Sequence, residues 1–139
     1  GGDHNSYQSP DHVNQLDWER KYEFFDLFEY TKKLIELRKK RPAFRMRTGD
    51  EIRAKLQFLN MPKRNMVGFA LGPNANGDSY ETILVFLNSN PEPVQITIDE
   101  GSWDVLVRDG NIGELGVLTG PEIAIEAQSA LILARKGDT

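Results

Sequence analysis

Ile83-Leu84-Val85-Phe86-Leu87 holds no polar side chain in five residues, and this run decides the fold class. A short stretch that is apolar on both faces and rich in β-branched and aromatic residues predicts a strand buried on both sides, central in a sheet and close under a helix. Outward from it, weaker segments repeat the signal with period two. Val67, Phe69 and Leu71 alternate within 66–71, and Val94, Ile96 and Ile98 alternate with Gln95 and Thr97. Trp103, Val105 and Val107 follow, then Ile123 and Ile125 between Glu122 and Glu126. Leu131-Ile132-Leu133 reads as a second buried strand. Turn clusters separate these segments: Asn74-Ala75-Asn76-Gly77-Asp78, Asn88-Ser89-Asn90-Pro91, Glu100-Gly101-Ser102, Asp109-Gly110-Asn111 and Gly120-Pro121. Seven or eight short strands at this spacing predict a mainly β protein, an antiparallel Greek-key-like β-sandwich over 44–139. Residues 50–55 add a short helical turn.

Upstream the period changes. Over 20–41, Phe24, Leu27, Phe28, Tyr30, Leu34, Ile35 and Leu37 cover an arc of about 180°, and Phe25 widens it. One long amphipathic α-helix is expected there, with apolar surface for two neighbours; a surface helix needs a stripe of about 100°. Glu29 with Lys33 and Glu36 with Lys40 have the favourable i, i+4 order. Asp17 lies in the N-terminal cap region. Lys39, Lys40 and Arg41 suit the negative end of the helix dipole, and Pro42 stops the helix.

Composition narrows the function. The chain has 139 residues, enough for one domain with a real core, and a net charge of −4, which argues against nucleic acid as the main partner. The basic run Arg38-Lys39-Lys40-Arg41 is explained by the helix end and a solvated face. No stretch approaches the apolar length of a membrane helix. There is no cysteine, which removes disulfides, thiolate metal sites and a cysteine nucleophile. His4 and His12 are the only histidines, too little material for a histidine zinc site or a Ser-His triad. No metal site and no cofactor site is expected. The opening Gly1-Gly2-Asp3, without Met, suggests an excised piece.

Hydrolytic chemistry on a sugar bond needs two carboxylates held on rigid elements. Asp78, Asp99, Asp104 and Asp109 read instead as turn or solvent-facing residues, so no catalytic residue is assigned. Trp103 and Tyr80 offer a sugar-stacking platform only if both rings are exposed, and Trp103 reads as a core residue. Residues 1–19 are different, being dense in polar groups. Asp3 with His4 would be half a metal site, but no further ligands follow at helical spacing; Asp3 with Asp11 as an acid pair lacks a rigid support.

The string Gly2-Asp3-His4-Asn5-Ser6-Tyr7, then Ser9-Pro10-Asp11, then Val13-Asn14-Gln15-Leu16-Asp17-Trp18 closely resembles the type I pullulanases, debranching enzymes of the α-amylase superfamily (glycoside hydrolase family 13). The stretch Leu34-Ile35-Glu36-Leu37-Arg38-Lys39-Lys40-Arg41-Pro42-Ala43-Phe44-Arg45-Met46 resembles that family's last barrel helix and its exit. The resemblance implies that 1–43 is the remnant of a catalytic (β/α)8 barrel, its last loop and helix, and that 44–139 is the C-terminal sandwich. It implies a parent that hydrolyses α-1,6 links in pullulan, amylopectin and glycogen by a retaining mechanism, with the catalytic carboxylates upstream of Gly1. The fragment alone is then inactive.

By the same resemblance, Asn5, Ser6, Tyr7, Asp11 and Asn14 are the substrate-binding candidates. Tyr7 would stack on a glucosyl ring, while Asp11 and Asn14 either bond hydroxyls or buttress the loop. The implied partners are an α-glucan through the parent enzyme and the barrel itself, packed on helix 20–41. Without the barrel, two copies are expected to pair through Phe24, Leu27, Phe28, Leu34 and Ile35, or 1–19 to fold over them. A stand-alone α-glucan-binding module and a protein-interaction domain remain the alternatives. A bacterial parent is implied, cytoplasmic or exported according to an N-terminus outside this chain.

Overall fold

The apolar run takes the central place predicted for it. In the computed structural model, which describes residues 4–137, β3 (Thr82–Asn88) lies between β2 (Met66–Leu71) and β9 (Ser129–Arg135), antiparallel to both. The sheet continues through β1 (Leu56–Phe58) on one side and β5 (Ser102–Arg108) and β6 (Asn111–Ile112) on the other, while β7 (Val117–Thr119) also pairs with β5. β4 (Val94–Thr97) and β8 (Glu122–Ile125) form a separate two-stranded ribbon. The chain leaves the sheet after β3, returns for β5, leaves again for β8, and inserts β9 between β3 and β5. The sandwich is therefore Greek-key-like but unequal, seven strands against two.

Both faces of the large sheet carry a buried core. On one, Leu84 and Phe86 pack with Trp103, Val105, Leu131 and Leu133 against Val94, Ile96, Ile123 and Ile125 of the ribbon. On the other, Ile83 and Val85 pack with Leu71, Leu106, Val107 and Ile132, covered by Ala43, Ala75 and the half-buried Leu37 and Phe44. Each fully buried Val, Leu, Ile or Phe among them contributes roughly 1.5–3 kcal/mol on burial. Corner polarity is met by side chains. Asn88 Nδ2 donates to the carbonyls of Glu92 and Glu126, and its Oδ1 accepts from the backbone and side-chain amides of Asn90, so the turn after β3 is tied to the end of β8.

Three expectations change. The alternation over 103–107 breaks after Val105. Val105 pairs with Leu133 and Val107 with Ile132, so Leu106 is the extra residue of a bulge, and Val107 joins the helix-side core. Asp78 is buried and bonded, unlike a solvent-facing turn residue. The long helix is broken: α2 (Arg20–Glu23) and α3 (Phe25–Lys40) meet at Phe24, which takes φ −112°, ψ 45°. α2 buries no side chain, so no packing holds it in line with α3, and the Arg20 guanidinium lies over the Phe24 ring at 5.1 Å.

Helix-end chemistry also differs in detail. Glu29 pairs with Lys32 at 3.7 Å, and Lys40 reaches Glu114 at 3.7 Å. Lys39, Lys40 and Arg41 lie at the helix end, but Arg45 bonds the last carbonyls, its Nε donating to Arg38 O and its Nη2 to Lys39 O, both at 3.0 Å. The short helix over 50–55 is α4 (Gly49–Lys55), capped by Thr48 Oγ1 accepting from Glu51 N. Gly72 lies where the backbone is closest: with φ 149°, an added Cβ would sit 2.2 Å from Glu81 O.

Candidate functional site

The opening segment folds into two single turns, a 3-10 turn at Ser6–Gln8 and α1 (Asp11–Asn14). Asn14 is the fastener between them. Its Nδ2 donates to Ser6 O at 2.7 Å and to Ser9 O at 3.1 Å. Asn14 thus bonds loop backbone at both Ser6 and Ser9. Tyr7 stands 78% exposed, and Asp11 and Asn5 are exposed while Ser6 is half-buried. The structure therefore brings Ser6 and Asn14 together through the backbone and presents Tyr7 outward. Asp3, and with it the Asp3–His4 and Asp3–Asp11 pairings, lies outside the described residues. Among the described residues no group of three His, Asp or Glu side chains is placed to hold a metal ion.

α3 has two distinct faces. Tyr30, Leu34 and Leu37, spaced i, i+4, i+7, are half-buried, and Leu37 packs into the helix-side core. Phe24, Phe25, Leu27, Phe28 and Ile35 are exposed, Leu27 at 65%, and Phe25 stacks on Phe28 with centroids 6.3 Å apart. Leu16, Trp18 and Tyr22 are exposed too, so 1–19 does not fold over the helix within the described residues. The bare surface runs on to the sheet, where Leu27 and Tyr30 share an open groove with Leu87 and Ala130. A monomer seldom leaves this much contiguous apolar surface in water.

Helix and sandwich are joined by a polar knot that sequence reasoning missed. Asp78 has a fully buried side chain; Arg41 Nη1 donates to its Oδ1 at 3.2 Å, Ala43 N to its Oδ2 at 3.3 Å, and Tyr80 N to its Oδ1 at 3.0 Å. The Arg41 guanidinium also lies 4.9 Å from the Tyr80 ring centroid, and Tyr80 Oη donates to Asp104 Oδ2 at 2.9 Å. Burial, then the bond to Asp104, raises the Tyr80 pKa above the usual 10.0. Asn76 Nδ2 donates to Pro42 O at 2.8 Å and Arg45 O at 3.1 Å. The Asn-Asn-Gly-Asp composition of 74–78 was the available signal, since such side chains bond local backbone. Its long-range partners were not legible. Trp103 is 1% exposed with Arg135 over its ring, and Tyr80 is half-buried under Arg41, so they form no open sugar platform.

A small, unequal β-sandwich with a bare-faced helix tied to its flank defines a class of mainly β domain. Residues 52–111 match the family model described as "Pullulanase, all-beta domain". The chain is 37% identical to a pullulanase of Bacillus subtilis over 94 residues, 68% of this chain and 13% of that protein. A solved pullulanase from Bacillus acidopullulyticus superimposes with a TM-score of 0.88 at 39% identity, over 97% of this chain and 17% of that one. Bacillus subtilis type I pullulanase in complex with maltose gives a TM-score of 0.85 at 28% identity, over 96% and 19%. An Anoxybacillus pullulanase complexed with maltotriose gives 0.77 at 30%, over 94% and 18%. The chain is thus related to the pullulanases, matched over 52–111 through their all-β domain, and spans less than a quarter of the length of each of these relatives.

Proposed function

We propose that this chain is a non-catalytic part of a starch-debranching glycoside hydrolase, with the sandwich as an accessory domain that stabilises the catalytic barrel. The observation that carries this reading is the match to a small all-β portion of pullulanases. The dispersal of the acids supports it. Asp78 is spent on Arg41 and Asp104 on Tyr80, while Asp99 lies 3.7 Å from Arg135. Each of these three carboxylates is engaged by a different side chain. On this reading the whole enzyme hydrolyses α-1,6 links in pullulan, amylopectin and glycogen, and its glucan contacts reside chiefly outside this chain.

Residues 1–43 are then the last loop and helix of the barrel, and 44–139 the sandwich. The exposed face of α3 is the barrel's contact. Asn5, Ser6, Tyr7 and Asp11 line one edge of the substrate groove, and Asn14 holds that edge in shape. A second reading, self-association through Phe24, Leu27, Phe28, Leu34 and Ile35, is favoured by the exposure of four of these five; Leu34 is half-buried.

The test is an assay of the 139-residue chain for reducing ends released from pullulan, run with retention on a glucan gel and sedimentation over a range of concentrations. Neither turnover nor retention is expected. Turnover overturns the non-catalytic assignment. Retention without turnover moves the chain to a glucan-binding module. A concentration-dependent dimer abolished by Phe28→Glu supports the second reading.

A further inference from the structure

Asn76-Gly77 pairs a side-chain amide with a following nitrogen that no side chain shields. In such a pair the Gly77 nitrogen can attack Asn76 Cγ. The new C–N bond forms as the Cγ–Nδ2 bond breaks, and ammonia departs carrying the proton lost from Gly77. Water then opens the cyclic imide at either carbonyl, leaving aspartate or isoaspartate. No oxidant or reductant is involved.

The fold works against this reaction at every reacting group. Asn76 sits at φ 50°, ψ 33° in the turn Ala75–Gly77. The Gly77 N–H is spent on Asn74 O at 3.0 Å. Asn76 Nδ2, the leaving group, is anchored on Pro42 O and Arg45 O, carbonyls more than thirty residues upstream at the exit of α3. For the side chain to swing onto its own backbone, both bonds must break. Those bonds belong to the knot that Arg41, Ala43 and Asp78 close.

We propose that Asn76 is a deamidation site gated by opening of the helix–sandwich junction, and that the modified chain no longer closes it. A carboxylate at position 76 has no proton to offer Pro42 O and Arg45 O, and it sets a negative charge against two carbonyl oxygens beside the buried Asp78. Isoaspartate also adds a backbone atom within the turn Ala75–Gly77. The reaction would mark, irreversibly, each molecule whose junction has opened.

The experiment incubates the full chain at mildly alkaline pH, native and in denaturing urea, and follows Asn76 by peptide mapping with mass detection. Native Asn76 should react more slowly than urea-unfolded Asn76 by about tenfold or more, the factor set by a local opening cost of about 1.4 kcal/mol. Arg41→Ala should recover much of that factor while near-ultraviolet circular dichroism shows a folded core. Equal rates in native and unfolded chains overturn the gating, as does an unchanged rate in Arg41→Ala. For the second half, Asn76→Asp should lose hydrogen-exchange protection at the Ala43 amide while β3 and β9 keep theirs. Retained protection at Ala43 overturns it.

Discussion

Arg41 and Asp78, 37 residues apart in sequence, meet at 3.2 Å where α3 ends and the sandwich begins. The carboxylate also takes the backbone amides of Ala43 and Tyr80, so it is paired and hydrogen-bonded without water. Removing one partner of a buried pair costs about 3–5 kcal/mol, because the other is stranded. Asp78→Ala should fall in that range and exceed Arg41→Ala, since only the former also orphans two backbone donors. Urea unfolding of both single variants and the double variant gives the coupling. A loss below about 1 kcal/mol in Asp78→Ala would mean that the knot is ornament to the packing.

Tyr80 gives the same junction a pH signature. Burial and the bond to Asp104 favour the protonated phenol, so its folded pKa stands above the unfolded 10.0. A raised pKa means that the folded state holds more protons than the unfolded one between the two values. That part of the stability is complete below pH 10 and is lost as pH rises through the folded pKa. Tyr80→Phe should be less stable at neutral pH, by about 1 kcal/mol for a lost hydrogen bond, and should show a shallower fall in alkali. Parallel slopes above pH 10 in the two proteins would remove Tyr80 as the cause.

What the sequence disclosed and what it hid divide along physical lines. Ile83-Leu84-Val85-Phe86 announced a central strand because burial on both faces leaves no polar position in the run. The bulge at Leu106 was hidden, since an inserted residue in an apolar segment leaves its composition unchanged. The break at Phe24 was hidden for the same reason: the apolar spacing runs straight through it. At the candidate site, the polar density of 1–19 set the segment apart, but did not show that Asn14 bonds the Ser6 and Ser9 carbonyls. The Arg41–Asp78 pairing needed the fold, because neither residue carries a local sign of the other.

The two faces of α3 should answer differently to the same substitution. Leu37 packs on the helix-side core and lines one pocket with Leu106 and Ile112, whereas Leu27 stands 65% exposed. Leu37→Ala should cost about 2 kcal/mol, near the low end for a core leucine because the residue is half-buried. Leu27→Ala should lie within about 0.5 kcal/mol of the parent chain. Thermal unfolding at low protein concentration separates them. If Leu27→Ala is the more destabilising, its face is covered in solution, and sedimentation of the same samples tells whether a second copy covers it.

Asn14 permits a test confined to the opening segment. Its amide clasps two carbonyls across the Ser6–Gln8 turn, and no residue of that turn or of α1 is fully buried. Asn14→Ala should therefore loosen the segment by about 1 kcal/mol, the net worth of such bonds, without lowering the unfolding midpoint of the sandwich. Amide exchange at Ser9, whose N–H bonds Ser6 O at 2.9 Å, should quicken while β3 and β9 keep their protection. Asn14→Asp, which keeps the shape but removes the donor, should behave like the alanine variant, whereas Asn14→Gln should recover part of the protection. In a full-length enzyme carrying this region, the same loosening should raise KM for pullulan more than it lowers kcat, because a buttress acts on binding rather than on the bond broken. An alanine variant that leaves Ser9 exchange untouched would take Asn14 out of the loop's support and return it to direct sugar contact.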